Sequence, residues 1–402
     1  MDQPNRVDSL FIHMFLILFF ICLIFVNYIF TFKRQILLIE DGKGKICLIF
    51  WKISQIGLAK KLSVKKISLL DISEKLKISK STISIVLNGR GDEKRVSKET
   101  QEKIVKYANE HNYRPNQLAR GLSRGKSETI GLIVPNISDT FYSRIARRIE
   151  RKARLSGYTV VYSSTGESRT RENELIQMML DRQVDGLIIA STQKNQEDVV
   201  RLKNQQFPFV LIDRHYPDVE TNFVVVDNAG GTSKAVEQLI KLGKKHIGFV
   251  TLKPGLEAIR QRLIGYEETL KKYGLYEGMK NVKELDPDHL DCEMMEAIKS
   301  LVQSTHKVDG IVFATHYLTT QGLRELRKLS VKIPHEIAIV SFGQMSFFDL
   351  IEPPITSVNQ PVEEIGDKAV EILLDNLVEK KLTYDQQYLK TKLEIRKSCG
   401  KN

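Results

Sequence analysis

Cysteine is scarce in this chain and is nowhere arranged for chemistry. Cys22, Cys47, Cys292 and Cys399 share no paired spacing, so neither a disulfide framework nor a zinc site is legible. A reducing compartment is the default for such a chain. There is no phosphate-cradling glycine loop, no Gly-x-Ser-x-Gly elbow, no Cys-x-x-Cys and no metal-spaced histidine pair. Gly42-Lys43-Gly44 and Ala229-Gly230-Gly231 are too short to mean nucleotide binding. Carboxylates are abundant, but none form a recognisable acid–base pair. These absences do not exclude an enzyme, because such pairs meet only in the fold, but nothing argues for one. No catalytic residue, metal or cofactor is expected. No internal repeat stands out beyond a general βα alternation. No leucine heptad follows the last strand candidate, so a tetramerising coiled coil is not expected.

What is present is unevenly placed. The formal net charge of the 402 residues is +12. Residues 1–63 contribute +4, residues 64–126 contribute +8, and the remaining 276 are neutral. A basic module of about sixty residues therefore precedes a large neutral body, the footprint of nucleic-acid binding confined to one end. A merely solvated basic surface would spread its charge more evenly.

The first 63 residues differ in texture from the rest. From Ser9 to Phe32 there is no Lys, Arg, Asp or Glu, and Lys33-Arg34 follow at once. That length spans a bilayer, and the basic flank suits its cytoplasmic side. One reading is an N-terminal anchor, which would tether the protein to the inner membrane. The other, favoured here, is a misassigned start, since residues 1–63 carry eight of the seventeen Phe and resemble in-frame translation of AT-rich DNA.

Residues 68–89 then show two short amphipathic stretches. Leu69, Ile72 and Leu76 share one helical face, and Ile83, Val86 and Leu87 share another. Ser79 is placed to cap the second helix, and Asn88-Gly89 to close it. Two such helices across a tight turn make a helix-turn-helix or an ordinary helical hairpin. The outer face of the second is small and polar, with Lys80, Ser81 and Ser84, as a helix entering a major groove requires. A charged turn, Arg90 to Arg95, leads to a third helix capped by Ser97. Pro115 to Lys126 is basic, broken by Gly121 and Gly125, and reads either as a flexible linker or as a segment that folds on DNA.

From Thr129 apolar runs alternate with amphipathic helices, which predicts parallel sheets covered on both faces. Strands are expected at 130–134, 159–162, 186–190, 209–212, 223–226, 246–250, 310–314 and 338–342, with a last strand at 387–396. So many units suggest two doubly wound α/β sheets with a ligand cleft at strand ends.

This order of features resembles the lactose-repressor (LacI/GalR) family of bacterial transcription regulators across roughly residues 65–397. The resemblance is carried by Leu70–Leu76, Ser81–Ser84, Val86–Gly89, Asn112–Asn116 and Ala119–Leu122. Gly131–Pro135, Asp139–Tyr142, Val184–Gly186, Asp213-Arg214, Val226–Asn228, Arg262–Tyr266 and Pro354–Val358 extend it. It implies a small all-α DNA-binding domain at 64–115, a hinge helix at 116–126, and a periplasmic-binding-protein-like α/β core at 127–397. The core's two subdomains would be 127–226 plus 359–384, and 227–358 plus 385–397.

The resemblance further implies a cytoplasmic, nucleoid-associated homodimer on a near-palindromic operator. It would act as a repressor whose operator affinity is modulated by a small carbohydrate-like effector. Lys80 and Ser81 would read bases, while Thr82 and Ser84 would meet phosphates or backbone. Ser68, Leu69, Ser79, Asn88, Thr100, Tyr113, Asn116 and Ala119 would complete the DNA surface. Leu122 would wedge into the minor groove at the operator centre. Ile85 stands where many members carry arginine, and either touches a thymine methyl or simply packs. In the cleft, Phe141 would pack on the effector, and Asp213, Arg214 and Arg262 would bond its polar groups. His316-Tyr317 and Gly343-Gln344 depart from the family, losing two acidic groups that often grip sugar hydroxyls. Either His316 and Gln344 suit a phosphorylated or acidic sugar or the pocket is rebuilt, and His316 reads equally as a satisfied structural histidine. Rival readings are a membrane-tethered sensory regulator, a solute-binding protein and an α/β enzyme.

Overall fold

The computed structural model describes residues 67–113, 125–253, 255–303, 307–379 and 384–400. The apolar stretch 9–32 and the residues expected to form a hinge, Asn116, Ala119 and Leu122, lie outside them. The chain divides into two units, one ending at Arg114 and the other beginning at Pro115. Among the described residues no helix is long and apolar enough to cross a membrane.

In the first unit, helices α1 (Leu69–Leu76), α2 (Lys80–Leu87) and α3 (Lys98–Glu110) enclose a small core of Ile72, Ile83, Val86 and Ile104. So small a core leaves little stability to spare, and the helix ends are correspondingly well satisfied. Ser68 and Asp71 form a reciprocal capping box on α1, and Ser79 and Ser97 cap α2 and α3. The expected closure of α2 differs in detail. Gly89 takes the left-handed backbone, at φ 73°. Asn88 does not, and instead donates its side-chain amide to the Ser84 carbonyl at 2.7 Å. The charged turn is bound to α3, where Asp92 accepts from Lys98 at 2.8 Å and Gln101 at 2.9 Å.

The second unit builds two six-stranded sheets. The first contains β1 (Thr129–Val134), β2 (Thr159–Ser164), β3 (Gly186–Ile189), β4 (Phe209–Ile212), β5 (Phe223–Val226) and β11 (Gln386–Leu389). Its order is β11-β5-β4-β3-β1-β2, parallel throughout. The second contains β6 (Ile247–Leu252), β7 (Val282–Leu285), β8 (Gly310–Phe313), β9 (Ala338–Phe342), β10 (Thr356–Asn359) and β12 (Lys392–Glu394). Its order is β12-β10-β9-β8-β6-β7, parallel except for β12 against β10. Apart from β10, the inner strands are buried, largely apolar runs, as a sheet covered on both faces requires.

Helices α4 (Thr140–Leu155), α5 (Arg169–Asp181), α6 (Gln196–Asn204) and α11 (Val362–Glu379) belong with the first sheet. Helices α7 (Asn228–Lys241), α8 (Glu257–Lys272), α9 (Leu290–Gln303) and α10 (His316–Lys328) belong with the second. Arg144–Glu363, Arg148–Asp367 and Lys152–Glu371 repeat every four residues between α4 and α11. Being partly exposed, they set register more than they stabilise. Gly265 lets α8 meet α7, since a Cβ there would lie 2.2 Å from the Ala229 carbonyl oxygen.

The chain passes between the sheets three times: after β5, after β10, and between β11 and β12. The third passage corrects the expectation of a single last strand at 387–396 in the second subdomain. Gln386–Leu389 lies in the first sheet, against β5. After Lys390-Thr391 the chain switches, and only Lys392–Glu394 joins the second sheet. Buried Thr391 marks the switch, and its carbonyl accepts from Lys234 Nζ at 3.0 Å.

Candidate nucleic-acid interface and ligand cleft

On the first unit, Lys80 and Ser81 stand exposed at the start of α2, free of the core. The other expected DNA residues have structural work as well. Ser79 Oγ accepts from the Thr82 amide at 3.1 Å and meets the hydroxyls of Ser81 and Thr82 at 2.8 Å. Ser84 Oγ accepts from Asn88 at 3.3 Å. Ser68 is exposed and engaged in its capping box, and Thr100 Oγ1 lies 2.8 Å from Ser97 Oγ. Leu69 and Tyr113 pack against the core, and Ile85 is half-buried. Lys75, Lys77, Arg90, Lys94 and Arg95 add exposed positive charge. This surface presents cations and small hydroxyls, the groups that meet phosphates and base edges.

On the second unit, a cleft of about 1070 Å³ opens between the two sheets at the carboxyl ends of their strands. Phe141, Asp213, Arg214, Arg262 and His316 all line it. Gln344 is not among the lining residues. Gly343, at φ 87°, turns the chain after β9, and Phe342 and Gln360 face the cleft instead.

The polar groups here are held firmly. Tyr142 donates to Asp213 Oδ2 at 2.7 Å, and burial keeps its phenol well above the usual value, hence protonated. Arg214 reaches Glu167 with two nitrogens, at 2.7 and 2.9 Å, and the Ser191 carbonyl at 3.1 Å. Burial opposes its charge, but the carboxylates of Glu167 and Asp213 help to raise the guanidinium's pKa.

Arg262 is different, because its hydrogen-bond partners are neutral. Nε donates to Asn228 Oδ1 and Nη1 to the Ala314 carbonyl, both at 2.8 Å, and the group lies 3.9 Å over the Phe342 ring. Burial pushes its pKa down to about 10, so the charge persists at neutral pH. A guanidinium desolvated this far, with no acceptor for Nη2 among the described residues, can receive oxygen atoms from a ligand.

His316 Nε2 lies 3.4 Å from Asp139 Oδ1 across the cleft, joining the starts of α10 and α4. Burial pushes the Asp139 carboxyl up, but His316 and the Phe141 and Tyr142 amides hold it below the ordinary carboxylate value.

Sequence reasoning did not single out Asp139, Tyr142 or Glu167. The first two lie inside a quoted landmark. Glu167 carries no local signal, because its partner is 47 residues away. Among the described residues no group of three or more His, Cys, Asp or Glu is placed to hold a metal ion.

Comparison with known proteins gives concordant results. Residues 68–116 match the model described as bacterial regulatory proteins, lacI family, and residues 236–399 match a periplasmic binding protein-like domain. The chain is 30% identical over 319 residues to the "Probable HTH-type transcriptional regulator EndR" of Paenibacillus polymyxa, covering 79% of this chain and 92% of that one. It is 28% identical to catabolite control protein A of Priestia megaterium, covering 83% and 99%. A structure of the lac repressor dimer bound to operator and the anti-inducer ONPF superposes with a TM-score of 0.73 at 22% identity, over 83% of this chain and 99% of that one.

Proposed function

The chain belongs to the lacI family of bacterial regulatory proteins, and from that premise we propose a homodimeric repressor that binds a near-palindromic operator and is modulated by a carbohydrate-like effector in the inter-sheet cleft. The observation that carries the effector half is Arg262, a buried cation with neutral partners and a donor left over at a cleft of sugar-accommodating size. Phe141, Tyr317 and Phe342 offer ring faces there, and Asp139, Glu167, Asp213 and Asp288 offer acceptors. The acidic groups absent at 317 and 344 are thus supplied from other positions, which favours a ligand rich in hydroxyls.

For the DNA half, Lys80 and Ser81 read bases, and Thr82 and Ser84 lie against the backbone. Of the residues outside the described ones, Leu122 is the wedge for the minor groove, Asn116 meets backbone or flanking bases, and Ala119 belongs to the same hinge segment. Exposed Leu155, Val161 and Tyr162, on α4 and the edge strand β2, supply apolar surface for a second copy.

The test is fluorescence anisotropy of the protein on its own upstream DNA across a salt series, with a panel of sugars and sugar phosphates. Tight, sequence-selective, salt-dependent binding that a panel member shifts is the expected result. Lys80→Ala should relax sequence selectivity, with a loss of about 1–3 kcal/mol at its base pair. Leu122→Ala should weaken operator binding and leave effector affinity nearly intact. Equal loss of both in Leu122→Ala would remove the hinge role. Absence of selective binding would remove the operator reading altogether.

A further inference from the structure

Helix α8 begins badly by its own sequence. Its N-cap is Leu256, which has no side-chain acceptor and makes no capping hydrogen bond. The first-turn amides of a helix need acceptors from outside it. For Glu257 the acceptor comes from the other lobe: its amide donates to Gln193 Oε1 at 2.8 Å. Gln193 lies in the segment after β3, in the first lobe, at φ 56°. Its own position is fixed from both ends. The Gln193 amide donates to Ser191 Oγ at 3.0 Å, and its Nε2 donates to the His215 carbonyl at 2.5 Å. A second cavity of about 420 Å³, bordered by His215 and Tyr388 from one lobe and Glu257 and Gln261 from the other, adjoins this junction. The lobes are therefore not closely packed against each other beside this bond.

The same helix carries the site's arginine. Ala258, Ile259 and Arg262 of α8 all face the effector cleft. The start of the helix and the position of Arg262 are tied together by less than two turns of backbone.

We infer that Gln193 is a positioning residue that caps α8 from the opposite lobe, so that the start of the Arg262 helix is completed only when the lobes are closed. Opening the lobes withdraws the cap and loosens the first turn of α8. Closing them restores it and sets Arg262 for the ligand. Effector binding and lobe closure then favour each other through one hydrogen bond, and the coupling runs equally in both directions. The inference concerns the lobes alone and uses neither operator nor effector in its test, so its failure would leave the regulator reading standing.

Amide hydrogen exchange on the full chain reads the bond itself. In Gln193→Ala the Glu257 amide should exchange roughly five- to tenfold faster. Gln193→Glu keeps an acceptor at that place and should retain most of the protection. Lobe orientation is read separately, by the spin-label distance between Glu174→Cys on α5 and native Cys292 on α9, with Cys22 and Cys47 changed to Ser. That distribution should be single and narrow in the parent and broader in Gln193→Ala. Adding Leu256→Ser to Gln193→Ala gives the helix a cap of its own. It should restore protection in the first turn without restoring the narrow distribution. Unchanged exchange at Glu257 in Gln193→Ala would overturn the inference. So would lost protection with an unchanged distance distribution, since Gln193 would then cap the helix and do nothing more.

Discussion

Two residues facing each other across the cleft, Asp139 and His316, illustrate how much of a site depends on partners that lie far apart in the chain. The histidine was legible as a departure from family pattern; the carboxylate beside it was not, because 177 positions separate the two and only the fold closes that distance. Phe141, Asp213, Arg214 and Arg262 could be located because each sits at the end of a recognisable strand or in a short motif. Gln344 follows the left-handed turn at Gly343 and does not line the cleft. The Asp139–His316 pair also carries a sign. Because the Asp139 carboxyl is held below its ordinary value in the folded state, its contribution to stability is complete above that value. It is lost as pH falls below the ordinary carboxylate value of 3.8 and through the lower folded one. Thermal unfolding followed against pH should therefore show the parent more stable than Asp139→Asn near neutrality. The two curves should converge in acid. A gap that stays constant with pH would mean the pair contributes nothing through charge.

Among the elements, those with clear apolar periodicity were legible to within a few residues. β1, β3, β4, β5, β6, β8 and β9 are continuous apolar runs, and their covering helices show the spacing of one buried face. β7, β10, β11 and β12 were not resolved as separate strands. Val282-Lys-Glu-Leu, Thr356-Ser-Val-Asn, Gln386-Gln-Tyr-Leu and Lys392-Leu-Glu are mixed in polarity. Apart from β10, each lies at a sheet edge, where one side of the strand needs no apolar cover. Helix α2 offers a test of cap against contact. Ser79 holds its first turn, whereas Lys80 is free of the core. Ser79→Ala should lower the stability of the helix-turn-helix unit by about 1 kcal/mol, seen in chemical denaturation followed by its helical signal. Lys80→Ala should move that midpoint by less than about 0.5 kcal/mol. If the two variants were equally destabilised, Ser79 would not be acting as a cap in solution.

For the whole molecule, the proposed second copy meets the chain at the α4–β2 side. Leu155 is 78% exposed and Tyr162 55%, apolar surface that a second copy would cover. Sedimentation of Leu155→Glu should show the dimer weakened at least tenfold, with the fold unchanged; a dimer of undiminished affinity would place the contact elsewhere. The three passages between the sheets have a bearing on synthesis. Because the first sheet takes strands from residues 129–226 and again from 386–389, the lobe that is begun first is among the last to be finished. Most of the second lobe, from α7 through β10, is contiguous and can fold while the ribosome is still translating. The edge of β5 waits, unpaired, for the strand at Gln386–Leu389. A premature stop anywhere before Gln386 therefore leaves both lobes incomplete rather than one, and a frayed β5 edge is the surface that proteases and chaperones would meet.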